Sequence, residues 1–123
     1  MLTLSRTQKR FMDEILSTLE KILEQRKSAT ADNSYVASLY NLGTDKILDK
    51  ISEESAELIK AAKDEGKDKI IHEVADLWFH TLVLLRHKNI SMKEIETELM
   101  RRFGVSGHAE KASRNKSNEE KSS

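Results

Sequence analysis

Five acidic side chains cluster in two short segments, and four of them stand in pairs at a three-residue step that could hold a divalent cation. In KISEESAELIK, residues 50–60, the chain collects Glu53, Glu54 and Glu57, and in IIHEVADLWFHTLVLL, residues 70–85, Glu73 and Asp76 repeat the three-residue step. Helical positions three or four apart share a face. Glu54/Glu57 and Glu73/Asp76 are therefore two same-face pairs if both segments are helical. On an exposed helix such a pair repels by about a few tenths of a kcal/mol, and a divalent cation between the carboxylates relieves it. The first segment alone does not decide between a ligand pair and a solvated charged face. Its apolar residues Ile47, Ile51, Leu58, Ile59 and Ala62 fall in one arc, with Lys46, Lys50, Glu53, Glu54 and Glu57 opposite. Glu54 lies closest to the boundary.

The second segment is more informative. Ile70, Ile71, Val74, Leu77, Trp78, Phe79, Leu82, Val83, Leu84 and Leu85 cover nearly its whole circumference, leaving one polar stripe of Glu73, Asp76, His80 and His87. A helix apolar almost all round is a buried one, often between subunits in so short a chain. Carboxylates on it are costly to bury unless something cationic compensates. Joined by a short turn, the two helices face each other antiparallel and bring four carboxylates together. Oxygen donors without sulfur suit magnesium, with manganese as a substitute, and facing bundle helices are an established way to build such a site. The alternative is buried salt-bridging to Lys46 and Lys50. His72 reads as a surface residue at the helix edge. His80, a single imidazole among carboxylates, reads as a partner behind the ligands or a core hydrogen-bonding group, not as part of a zinc site.

The elements that must position these residues can be read from period and punctuation. Phe11, Met12, Ile15, Leu16, Leu19, Ile22 and Leu23 recur at helical steps, so roughly residues 5 to 27 form an amphipathic helix. SATADN, 28–33, is a polar connection. Ser34 caps a short helix over Tyr35, Leu39 and Tyr40 that Gly43 ends, and Thr44 caps the glutamate helix that Gly66 closes. A long helix follows over roughly residues 67 to 88, and after Asn89 the pair Ser91 and Glu94 forms a capping box for a last helix ending near Phe103. The domain is expected over 1–107, with a polar tail over 108–123.

Composition agrees with an all-α chain of one domain. There are 123 residues with no proline and four glycines. Lys+Arg and Asp+Glu each number 21, so no net field draws the chain to nucleic acid or an anionic membrane. The absence of cysteine excludes disulfides, thiolate metal sites and cysteine nucleophiles. No apolar run reaches the roughly 18 residues of a membrane helix, and the N-terminus has no signal-peptide core. The expectation is a soluble cytoplasmic protein.

E-E-x-x-E followed by E-x-x-D on the next helix resembles the all-α nucleotide pyrophosphohydrolases of the MazG type. Within that superfamily the flanking sequence is similar to the phosphoribosyl-ATP pyrophosphatase family of histidine biosynthesis. The likeness is carried by EQRK (24–27), SYVASLYNLGTDKILDKISEESAELIKAAK (34–63), HEVADLWFHTLVLL (72–85) and RRFGVSGHAEKASR (101–114). The acidic motif alone fits the whole superfamily; S-Y, G-x-D-K-I-x-x-K and S-G-x-x-E-K-A-S-R are far more specific. Ser52 departs from the glycine common in the family. No cyclohydrolase domain precedes the first helix, which resembles the stand-alone form.

The resemblance implies a small helical bundle, about four main helices plus a short one, assembled as an intertwined homodimer or higher oligomer. It implies hydrolysis of the α–β phosphoanhydride of phosphoribosyl-ATP with magnesium. Glu54, Glu57, Glu73 and Asp76 become the ligands, and Glu53 an outer ligand or the group that orients the attacking water, with Glu54 beside it in the catalytic pair. Arg26, Lys46, Lys50, Lys111 and Arg114 become contacts to substrate phosphates. Two rival readings are a MazG-type hydrolase of non-standard nucleoside triphosphates and a non-catalytic helical dimerisation module.

Overall fold

The computed structural model describes residues 6–103, with side chains from Glu14 onward. Every regular element among them is helical: α1 Arg6–Gln25, running into a 3₁₀ turn Arg26–Ser28, α2 Tyr35–Leu42, α3 Thr44–Asp64, α4 Lys67–His87 and α5 Met92–Phe103. The chain divides into two compact units, Met1–Ile90 and Ser91–Ser123. The expected boundary between domain and tail, at 107/108, lies outside the described residues.

In the first unit the helix ends follow local chemistry. Ser34 Oγ accepts from the Ala37 N–H at 3.1 Å and starts α2. Gly43 stops it with φ of 96°, a left-handed value that a side chain disfavours, and its N–H donates to the Leu39 carbonyl at 2.9 Å. Here the structure corrects the cap expected for the next helix. Thr44 is already the first residue of α3, and Gly43 stands before it without a side-chain cap. The residue that ends one helix leads directly into the next, so no position remains for a capping side chain. Gly66, with φ of 89°, does the same between α3 and α4. Its N–H reaches the Ala61 carbonyl at 3.3 Å while its own carbonyl accepts from Ile70 N–H at 3.1 Å.

That tight turn makes α3 and α4 an antiparallel pair, the most extensive packing in the unit. The buried residues of α3 are Ile47, Glu54 and Ala61, one every seven positions, which is the spacing of a seam between nearly antiparallel helices. Across it, α4 buries Glu73, His80, Leu82 and Val83. Leu23 of α1 and Val36, Ala37 and Leu39 of α2 complete the core. Two side chains tie α1 down. Tyr40 O–H donates to the Leu23 carbonyl at 2.9 Å, and Arg86 reaches Glu24 at 3.2 Å.

The expectation that α4 is buried all round holds for one side only within a single chain. Ile71 and Trp78, seven residues apart, are each 56% exposed, as is Ile59 of α3 at 58%. In the second unit, Ser91 N–H donates to Glu94 Oε2 at 2.7 Å and Glu94 N–H donates to Ser91 Oγ at 3.3 Å, the expected capping box. Near its end, Arg101 and Arg102 hold the Glu98 carboxyl down to about 2.

Candidate metal centre

The seam between α3 and α4 is apolar at both ends and acidic in the middle. Glu73 is 1% exposed, as buried as Leu23, and Glu54 is 7% exposed. Burying two carboxylates in a core this small needs compensation from neighbours. Each has found some within the protein, Glu73 from Lys69 and Glu54 from His80.

Glu73 Oε1 takes Lys69 Nζ at 3.2 Å, one helical turn back on α4. Its other oxygen, Oε2, is buried without a hydrogen-bond partner. Glu57 of α3 stands within hydrogen-bonding reach of the Glu73 carboxyl, and two carboxyl groups can bond only by sharing a proton. That hydrogen bond and the repulsion behind it push the Glu57 carboxyl up. Burial acts to raise Glu73 as well, but the bonds from Lys69 and Glu57 outweigh it and hold Glu73 low. The pair thus behaves as one unit that keeps a proton on Glu57 longer than usual.

Glu54 faces the other half of the seam. Burial pushes its carboxyl up, His80 works against that, and the charge of Asp76 adds to the rise. His80 Nδ1 lies 2.7 Å from Oε1 and 2.8 Å from Oε2 of Glu54. Asp76 pairs along its own helix with His72 Nε2 at 3.2 Å. Donor atoms of His72, Glu73 and Asp76 all lie within 4.8 Å of one another, the spacing of a group able to share a cation.

The sequence-derived candidates therefore separate into groups. Glu73 and Asp76 share a donor group with His72, while Glu54, buried, feels the charge of Asp76 and Glu57, exposed, meets Glu73. Glu53 is exposed beside them and pairs with Lys50 Nζ at 3.4 Å, so Lys50 stands at the edge of the acidic stripe. Its charge is stabilised chiefly by Glu53, which raises the Lys50 ammonium. Among the described residues neither Lys46 nor Lys50 makes an ion pair with the four carboxylates. Arg26 is exposed on the 3₁₀ turn after α1. Lys111 and Arg114 lie outside the described residues. Sequence reasoning missed Lys69 and Tyr35. The four-residue step from Lys69 to Glu73 was a visible signal; Tyr35, 45 positions from the histidine it meets, offered none.

The donor set fits a hard divalent cation. Its carboxylates offer oxygen, with a His72 ring nitrogen beside Glu73 and Asp76 and no thiolate among the donors. It also contains a buried carboxylate oxygen that no protein donor satisfies, the atom a cation would satisfy. Lys69 stands against Glu73, His72 against Asp76 and His80 against Glu54, and these contacts offset part of the repulsion among the carboxylates.

A family profile described as phosphoribosyl-ATP pyrophosphohydrolase matches residues 16–103. The chain is 71% identical over 104 residues to a phosphoribosyl-ATP pyrophosphatase of Vesicomyosocius okutanii, covering 85% of this chain and 99% of the relative. A protein of the same name from Hydrogenovibrio crunogenus is 53% identical over 108 residues, covering 85% and 96%. One from Geobacter sulfurreducens is 52% identical over 103 residues, covering 84% and 95%.

Proposed function

The chain belongs to the phosphoribosyl-ATP pyrophosphohydrolase family, and from that premise we propose the reaction and the residues that carry it. It is a hydrolase that splits the α–β phosphoanhydride of 1-(5-phosphoribosyl)-ATP, adding water to give 1-(5-phosphoribosyl)-AMP and pyrophosphate, a step of histidine biosynthesis. The observation that brings this reading to particular residues is the buried, unsatisfied Oε2 of Glu73, whose carboxyl also meets Glu57. Within this family, a carboxylate oxygen kept in such a position is best explained as a ligand.

Glu54, Glu57, Glu73 and Asp76 would hold Mg2+, with Mn2+ as a substitute. The bound cation would neutralise the triphosphate and stabilise charge developing in the transition state. The protein's own groups do the rest. Glu53, exposed beside Glu54, orients the attacking water and accepts its proton; with Glu54 it forms the catalytic pair. Lys50 exchanges its Glu53 contact for a phosphate oxygen, and Lys46, one turn earlier on α3, lies on the same face of the helix. Arg26, and Lys111 and Arg114 of the closing motif, extend the cationic set toward the phosphates.

The same reading takes the working form to be a homodimer or higher oligomer. What supports it is the exposed apolar side of Ile71 and Trp78 on α4, joined by Ile59 on α3. A cytoplasmic location goes with the reaction. No helix among the described residues is long and apolar enough to cross a membrane.

The deciding experiment is incubation with phosphoribosyl-ATP and Mg2+, reading pyrophosphate release. The reading requires stoichiometric pyrophosphate and phosphoribosyl-AMP, and no product in EDTA. Cleavage of deoxynucleoside triphosphates in preference to phosphoribosyl-ATP would instead indicate a MazG-type housecleaning hydrolase. Inactivity toward both, with a melting temperature indifferent to Mg2+, would indicate a helical dimerisation module.

A further inference from the structure

His80 is 6% exposed, and a histidine so buried needs partners for both ring nitrogens. Around Nδ1 stand the Glu54 carboxylate at 2.7 and 2.8 Å and the Asp76 backbone carbonyl at 3.1 Å. An ionised carboxylate and a carbonyl only accept, so Nδ1 carries the hydrogen and donates it. In the neutral ring Nε2 is then the acceptor, and the Tyr35 hydroxyl 2.8 Å away donates to it. The donations run in one direction across three helices, from Tyr35 on α2 through His80 on α4 to Glu54 on α3.

We propose that Tyr35 and His80 are positioning residues for Glu54, holding its carboxylate in the orientation a divalent cation requires. The proposal rests on the reading of Glu54 as a ligand. A glutamate side chain turns about three bonds and loses that freedom on ligation; one already anchored loses less. The anchor does not consume the ligand. A carboxylate offers about four lone-pair sites, and one N–H astride the two oxygens leaves the outward pair free. Tyr35 is 51% exposed, so packing alone does not explain where its hydroxyl sits. It stands at the start of α2, held by the Ser34 cap and by Ser38 Oγ, which donates to its carbonyl at 2.6 Å. The short helix is thereby a fixed mount for the first donor of the relay.

The test is calorimetric titration of Mn2+ into the full chain without nucleotide, with the melting temperature measured in parallel. Four variants separate the possibilities. An asparagine amide nitrogen falls where Nδ1 lies and a glutamine nitrogen where Nε2 lies. His80→Asn therefore keeps the donor to Glu54, and His80→Gln loses it. Removing a group that orients a ligand typically weakens metal binding by about 10- to 100-fold, and His80→Gln is expected in that range. His80→Asn should come back to within a few-fold of wild type. Tyr35→Phe, at an unchanged melting temperature, should bind a few-fold more weakly. Equal losses in His80→Asn and His80→Gln would reduce His80 to core packing and overturn the proposal. Wild-type affinity in Tyr35→Phe would overturn it too, and that variant decides if the His80 variants do not fold. Glu54→Gln is the control. If it is weakened while His80→Gln and Tyr35→Phe are not, the relay alone fails. If Glu54→Gln binds Mn2+ like wild type, the ligand reading fails and the relay with it.

Discussion

Glu57 on α3 and Glu73 on α4 hold their carboxyl groups within hydrogen-bonding reach of each other across the helix seam, with Glu73 only 1% exposed. Two like charges so placed are stabilised by a shared proton or by a cation. Without the metal the repulsion remains, and it is one cause of the raised Glu57 carboxyl. Glu57→Gln removes it and supplies an amide N–H to the unsatisfied Glu73 oxygen. The variant is expected to melt at a higher temperature than wild type in EDTA and to gain less from added Mg2+. Scanning calorimetry with and without the cation reads both, and a lower melting temperature in EDTA would contradict the geometry.

Glu54→Gln and Glu73→Gln each remove one carboxylate charge, of a ligand on the proposed reading, and change almost no volume. Turnover should fall at least about 100-fold, the upper end of what losing a mere supporting contact costs, while far-UV circular dichroism stays helical. Wild-type rates of pyrophosphate release in either variant would remove that residue from the metal site.

Truncation after Gly107 deletes Lys111 and Arg114 and almost no apolar side chain. If these cations meet substrate phosphates, stability holds while KM rises or kcat falls. A charge-assisted contact is worth about 1.5–3 kcal/mol, so losing one lowers kcat/KM by roughly ten-fold or more. Raised salt should partly mimic the deletion. Unchanged steady-state kinetics would strike both residues from the site.

Tyr40, packed against His87 and bonded to Leu23, gives a pH dependence of its own. Burial, with the Glu24 charge adding to it, pushes its hydroxyl up to about 12. A folded-state value above the unfolded one of about 10 means that the hydroxyl's contribution is complete below that pH. It is lost as pH rises through about 12. Tyr40→Phe leaves the Leu23 carbonyl without its donor and should cost about 1 kcal/mol at neutral pH. Denaturant melts should then show a shallower alkaline decline than in wild type, and parallel declines would mean the hydroxyl contributes nothing.

Much of this molecule is legible in local sequence because the relevant physics is local. Three- and four-residue apolar steps define the helices, Ser34 and the Ser91–Glu94 box start α2 and α5, and the positive-φ glycines 43 and 66 end α2 and α3. The acidic pairs show by their spacing that one face of each helix is charged, and the short turn at Gly66 dictates that those helices run antiparallel. The family likeness points to the same residues. What periodicity supplies, however, is the face of a helix and not its register against a neighbour. Whether Glu54 meets His80, 26 positions away, depends on the register at which the buried sides of α3 and α4 pack. A shift of one turn along the seam would keep every apolar residue on its face and break the contact. Tyr35 reaches His80 only because α2 is carried over that same seam. The kind of chemistry was therefore written in residue type and spacing. The pairing of Glu57 with Glu73, and the anchoring of Glu54 by His80 and Tyr35, were decided by tertiary packing, which alone sets distances between helices.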